Sequence, residues 1–189
     1  MQAYRRADGW AGLMVMTALI ALAAKADFKV TEVSPSISDD SLTLSGALDL
    51  SLNARVEEAL SKGIPIEVII DIGLYRARPI IWDRRVQHWV SRRRISYHAL
   101  SRQFLVTGHR PDSELVESFT SLQPALANMG SLEQLTLPLA HQPVDENEYY
   151  VRVRASLDIE SLPAPLRPVA HTSIAWRLNS GWTEWTVPR

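Results

Sequence analysis

Tyr149-Tyr150-Val151-Arg152-Val153-Arg154-Ala155-Ser156-Leu157-Asp158-Ile159 is the stretch that decides the fold. On an extended chain, Tyr149, Val151, Val153, Ala155, Leu157 and Ile159 fall on one face, and Tyr150, Arg152, Arg154, Ser156 and Asp158 on the other. A period of two with one apolar face predicts a half-buried antiparallel strand. The same pattern recurs outward from it. Ile66, Val68, Ile70, Ile72 and Leu74 alternate through 65–75, and Leu42, Leu44, Leu48, Leu50 and Leu52 through 41–52, with Gly46 in phase. Residues 94–107 alternate as Ile95, Tyr97 and Ala99, then change phase to Phe104 and Val106, which predicts a bulge near Leu100 or Ser101. Leu135, Leu137 and Leu139 mark a short strand. Ile174–Leu178 and Trp182–Val187 predict a closing hairpin around Asn179-Ser180-Gly181.

Two short helices interrupt the strands. Asn53 is placed to cap a helix over 54–62, with Glu57 and Glu58 early, Lys62 late and Gly63 as the left-handed stop. Val56, Ala59 and Leu60 form its apolar stripe. A second helix is expected over 121–129, where Thr120 and Gln123 have capping-box spacing and Gly130 follows the end. Pro124 is tolerated there only in the first turn, where its missing N–H has no helical partner to lose. The loops at 109–113, 141–148 and 161–168 are of ordinary length, so residues 27–189 are expected to form one domain. The predicted fold is mainly β, an α+β variant: an antiparallel β-sandwich with two short helices.

Residues 1–26 are set apart from this pattern. Arg5 and Arg6 precede an uncharged run at 11–24, and Ala24-Lys25-Ala26 supplies a small-x-small cleavage pattern before Asp27. The run has 14 residues, against roughly 20 for a spanning helix. A cleavable signal peptide and a periplasmic product are therefore expected; an uncleaved anchor in the inner membrane is the alternative that Lys25 leaves open. The chain has no Cys, which excludes disulfides, thiol catalysis, a lipidated cysteine and Cys-ligated metals.

Charge is segregated along the chain. Residues 27–75 carry nine acids against Lys29, Arg55 and Lys62, a net of −6. Residues 76–110 carry nine Arg and only Asp83, a net of +8, and residues 111–160 return to −7. The plainer expectation is that the basic middle pairs with its acidic flanks across neighbouring strands. The functional one is a basic surface for an anionic ligand, a lipid headgroup or a partner. Nucleic acid is disfavoured by the expected compartment.

An ordered set of strings carries a resemblance. The set runs Ala59-Leu60-Ser61-Lys62-Gly63-Ile64-Pro65-Ile66, Arg78 with Trp82-Asp83, then Ile95-Ser96-Tyr97-His98-Ala99-Leu100-Ser101-Arg102-Gln103-Phe104. It continues with Phe119-Thr120-Ser121-Leu122, Ala125-Leu126, Leu157-Asp158, Leu162-Pro163-Ala164-Pro165-Leu166 and Trp176-x-Leu178-x-Ser180-Gly181-Trp182. This resembles the exported proteobacterial family named domain of unknown function 4390, with Ile81 standing where the family pattern expects a second aromatic. The resemblance supplies no activity to carry over. It implies a proteobacterial periplasmic setting and, through genes beside a membrane sensor kinase of the nitrogen-regulation type, an accessory or sensory role.

Catalytic motifs are absent from the sequence: no G-x-S-x-G, P-loop, G-x-G-x-x-G or H-E-x-x-H occurs. His88, His98, His109, His141 and His171 sit singly, and no metal, cofactor or catalytic residue is implied. The candidate binding residues are Arg76, Arg78, Trp82, Arg84, Arg85, Trp89, Arg92, Arg93 and Arg94. On a strand over 80–90, Trp82, Arg84, Val86, His88 and Val90 would share one face, and Arg85 and Trp89 the other. Arg stacked on Trp would make an amphipathic site for an anion or a partner; the plainer reading has Trp82 closing the core edge. Arg92-Arg93-Arg94 reads most simply as a solvated turn, or as a contact for an anionic membrane surface. Trp176 is expected in the core. The function expected is a non-catalytic periplasmic interaction or ligand-sensing module, with an envelope or membrane-sensor protein as partner. An envelope hydrolase with a dispersed active site and an envelope-assembly factor or chaperone are the alternatives.

Overall fold

Every second residue of the strand at Ile66–Arg76, from Ile66 to Leu74, is withdrawn from solvent, and the rest of the chain is built around that row. The structure, a computed structural model, describes residues 27–38, 40–78, 82–108, 115–141 and 148–188. The expected leader at 1–26 and the loop at 109–113 lie outside the described residues, as does most of the loop at 141–148. Nine strands follow in chain order among the described residues: β1 Phe28–Ser38, β2 Ser41–Leu50, β3 Ile66–Arg76, β4 Arg84–His98, β5 Gln103–Thr107, β6 Glu117–Phe119, β7 Leu135–Pro138, β8 Tyr149–Leu157 and β9 Thr183–Thr186. They make two antiparallel sheets, a small one in the order β1-β2-β7 and a large one in the order β6-β5-β4-β3-β8-β9. Phe28, Leu42 and Leu44 from the small sheet join Ile70, Ile95, Val151 and Val153 from the large one in a single buried cluster. The fold is thus mainly β with few helices, as the alternation predicts.

Helices α1 (Ala54–Ser61) and α2 (Leu122–Gly130) carry the chain between the sheets, from β2 to β3 and from β6 to β7. Asn53 caps α1 as expected: its Oδ1 accepts the Arg55 and Val56 N–H groups at 3.1 Å each. Its Nδ2 donates to the Ala175 carbonyl at 2.6 Å, so one side chain both starts the helix and ties it to the C-terminal region. Gly63, at φ +84°, ends α1 in the left-handed conformation that a side chain resists. The second helix departs from expectation at both ends. Ser121, not Thr120, holds the N-cap position, and it makes no side-chain cap bond. Gly130 lies inside the last turn, because α2 packs so closely on β2 that a Cβ there would stand 2.1 Å from the Leu48 carbonyl oxygen.

Four further expectations are corrected. The phase change in 94–107 is not a bulge: β4 ends at His98, the chain turns through 99–102 with Arg102 at φ +53°, and β5 returns beside it. The bulge in β4 lies instead where Leu74/Tyr75 face Gln87/Arg85. The closing hairpin is replaced by a 3₁₀ turn at Ile174–Trp176, after which β9 pairs with β8. Part of the loop expected at 161–168 enters a third helix, α3, at Arg167–Thr172, which Pro168 opens at a position that needs no N–H donor. Arg92-Arg93-Arg94 is no turn; it lies within β4.

Candidate functional site

The nine residues singled out by charge and aromaticity separate into three environments, because β4 shows one face to the core and the other to solvent. Arg93 faces inward. It lies opposite Val68, is 1 % exposed, and donates from Nη1 to the Met129 and Ser131 carbonyls at 2.6 Å each. These carbonyls close α2, where a cation meets the negative end of the helix. Among the described residues no carboxylate pairs with Arg93 and its Nε has no partner, and burial lowers its pKa to about 10. Trp89 also faces inward, half-buried opposite Ile72, and donates from Nε1 to the Pro138 carbonyl at 3.3 Å. Gln87 bonds the same carbonyl at 2.9 Å and accepts the Ala140 N–H at 2.9 Å, so this end of β4 is sewn to β7 of the other sheet.

Arg92 and Arg94 face outward, into a charge network that crosses the large sheet. Glu67, opposite Arg94 on β3, accepts from Arg94 at 2.9 and 3.2 Å and from Arg92 at 3.5 Å. Arg92 also donates to Asp158 at 2.8 Å. Two rungs further along β3, Asp71 accepts from Arg154 at 2.7 and 3.3 Å and lies 3.2 Å from His88 Nε2. Arg154 lies 4.6 Å above the Trp182 ring, and Arg152, bound to Glu184 at 2.7 Å, covers the stacked rings of Tyr75 and Tyr150. Glu67 and Asp71 of this network come from the first negative stretch and Asp158 from the second, while its arginines divide equally between the basic middle (Arg92, Arg94) and β8 (Arg152, Arg154). Arg92 and Arg94 are therefore engaged by acids of neighbouring strands, and the solvated turn assigned to them from sequence gives way to paired charges on a sheet.

The third environment is the end of the β3–β4 hairpin. Arg76 and Arg84 are register partners across it, and Arg85 is set opposite Tyr75 by the bulge at Val86. The expected facing is thereby corrected: Arg85 takes the phase of His88 and not of Trp89. Trp82 is 93 % exposed, which overturns its expected place at the core edge. The end is braced from beneath. Asp83 accepts the Arg78 N–H at 3.1 Å and the Tyr150 hydroxyl at 2.7 Å, and these two bonds hold its carboxyl below the usual range. Burial, reinforced by the bond to Asp83, pushes the Tyr150 hydroxyl up to about 12. Among the described residues Arg76, Arg84 and Arg85 have no acidic partner within ion-pair distance.

Charge counting along the chain misses Glu67, Asp71, Arg152, Arg154, Tyr75, Tyr150 and Trp182. The signal that could find them is phase. Glu67 and Asp71 occupy the alternate positions of a strand whose other face is aliphatic from Ile66 to Leu74, and Arg152 and Arg154 do the same in β8.

The catalytic possibilities are narrow. Among the described residues no three His, Asp or Glu side chains converge as a metal centre. His98 Nδ1 lies 3.0 Å from Ser101 Oγ, but the same nitrogen faces the Ser101 N–H at 3.4 Å, so the contact belongs to the β4–β5 turn. No helix among the described residues is long and apolar enough to cross a membrane.

A cysteine-free pair of antiparallel sheets, charge-laced on one outer face and basic at one hairpin end, defines a β-rich domain. Residues 25–186 match the family described as domain of unknown function (DUF4390), and the chain belongs to that family. No curated protein matches the chain, and no solved structure matches it.

Proposed function

We propose that the chain is a non-catalytic interaction module of the bacterial periplasm, an accessory to envelope or membrane-sensor machinery, and that it binds through the end of the β3–β4 hairpin. One observation carries this reading: Trp82 stands almost wholly in solvent near arginines that no acid among the described residues pairs with, on a segment that Asp83 fixes to β8. A large aromatic and several arginines on a braced surface are the residue types that dominate binding hot spots, since little side-chain freedom is left to lose. Arg93 is buried, and Arg92 and Arg94 are paired with Glu67 and Asp158 across the sheet. The leader-like sequence at 1–26 and the absence of Cys support the compartment.

Photo-crosslinking in cells tests this. A photoreactive residue at Val86, 40 % exposed beside the arginines, should give a discrete adduct, and one at Leu100, 94 % exposed at the far end of β4, should not. Arg84→Glu/Arg85→Glu should abolish the Val86 adduct without lowering the unfolding midpoint. Equal labelling from both sites, or none from Val86, would overturn the assignment.

A further inference from the structure

Arg76 and Arg84 lie directly opposite each other, and like charges in that relation oppose strand pairing. The acids that relieve Arg92, Arg94, Arg152 and Arg154 elsewhere on the sheet have no counterpart at this end among the described residues. The carboxylate of Asp83, at the same end, is occupied by Tyr150 and the Arg78 N–H. The Arg78 Nε is buried with no bonding partner. An external anion would relieve this arrangement, and a single small anion would leave exposed Trp82 and Val86 without a role. Both are exposed apolar side chains within a few residues of Arg84 and Arg85 in the chain.

Building on the reading of this end as the binding surface, we propose that its partner is an anionic lipid bilayer, with Trp82 seated among the headgroups and Arg76, Arg84 and Arg85 at the phosphates. Tryptophan favours the membrane interface because its ring is apolar while its N–H needs a polar neighbour. An arginine near an anionic surface strengthens partitioning by roughly fivefold, and the attraction is screened by salt. The apposed arginines, unfavourable in the free protein, would then be stabilised by shared phosphates.

The test uses the full chain with vesicles of phosphatidylglycerol, vesicles of phosphatidylcholine, and inorganic phosphate alone. Trp82→Phe isolates the fluorescence of this one tryptophan by difference. We expect that difference signal to shift to the blue and to be quenched by brominated phosphatidylglycerol, with no response to phosphatidylcholine or to inorganic phosphate. Arg84→Glu/Arg85→Glu should weaken flotation with phosphatidylglycerol by at least roughly tenfold, and residues 1–26, identical in both proteins, cannot produce that difference. Equal flotation of the two proteins, or a Trp82 response to inorganic phosphate alone, would overturn the bilayer assignment. A Val86 adduct with a protein, but no Trp82 signal on vesicles, would overturn the lipid inference and leave the binding surface standing. Failure of both experiments would overturn both.

Discussion

Arg93 lies opposite Val68 on the core face of the large sheet, a cation in register with an aliphatic residue that is itself fully buried. Its stem fills space between the sheet and α2, and its head satisfies two backbone carbonyls that would otherwise face nothing. Arg93→Ala should lower stability by about 3–5 kcal/mol, since it opens a cavity and strands the Met129 and Ser131 carbonyls. Arg93→Met should recover part of that loss by restoring the stem. Urea denaturation of both variants checks the order, and an Arg93→Ala midpoint equal to wild type would contradict it.

Glu67 serves two arginines unequally. Its side chain is 10 % exposed, and Arg94 approaches it at 2.9 Å while Arg92 stands at 3.5 Å and is held more closely by Asp158. Both arginines are more than half exposed, so solvent screening keeps each pair modest. A double-mutant cycle should give a coupling of about 1 kcal/mol for Glu67–Arg94 and less for Glu67–Arg92. Glu67→Gln alone should relax both arginines and make stability less dependent on salt between low and high ionic strength.

The Tyr150 hydroxyl ties β8 to the hairpin end, and its raised pKa gives a pH signature. In the unfolded chain a tyrosine loses its proton near pH 10; the folded protein holds this one to about 12. Between those values the folded state binds more protons, so the contribution of this group is complete below pH 10 and declines as the pH rises to about 12. Ultraviolet difference titration should show one late-titrating tyrosine that Tyr150→Phe removes, and the variant should lose less stability across the same interval. Identical titration of the wild type and Tyr150→Phe above pH 10 would contradict the burial and the Asp83 bond that hold this hydroxyl protonated.

Replacing glycine by alanine in a helix ordinarily stabilises it by up to about 1 kcal/mol. At Gly130 the sign should invert. The added methyl would meet the Leu48 carbonyl, a backbone atom of β2 that cannot swing aside. Gly130→Ala should therefore destabilise by about 1–3 kcal/mol, read as a fall in melting temperature, whereas Gly63→Ala, with open space around it, should cost only the strain of its left-handed backbone.

How much of this was legible beforehand depends on the range of the interaction. The core rows of β2, β3 and β8 follow from alternation, a local property, and so does the cap at Asn53. The complementary charge blocks foretell pairing but not partners, because the Arg92–Asp158 bond joins distant strands whose adjacency depends on the whole topology. Arg93 was hidden by its neighbours. Three successive arginines resemble a solvated turn, although Arg93 shares the phase of Ile95 and that phase already points inward. The bulge at Val86 then reverses the expected facing of Arg84 and Arg85, a one-residue event with no composition signal. At the C-terminal end Ile174, Trp176 and Leu178 alternate like a strand, yet Ile174 is 84 % exposed and Trp176 3 %, because the segment is wound as a 3₁₀ turn against α1.

The pairing of β2 with β7 has a consequence for how the molecule is made. Leu44 finds Leu135 only after the whole β3–β6 region and α2 have been synthesised, whereas β1 and β2 are separated by only two residues and can associate at once. Closing so long an interval costs entropy before any contact is gained, which slows the step relative to local pairing. Until then the β2 edge is an uncovered strand with Leu42 and Leu44 beside it, open to the wrong neighbour. The last association in the small sheet is therefore where misassembly of this chain would begin, and a refolding experiment should find its slow, concentration-sensitive phase there.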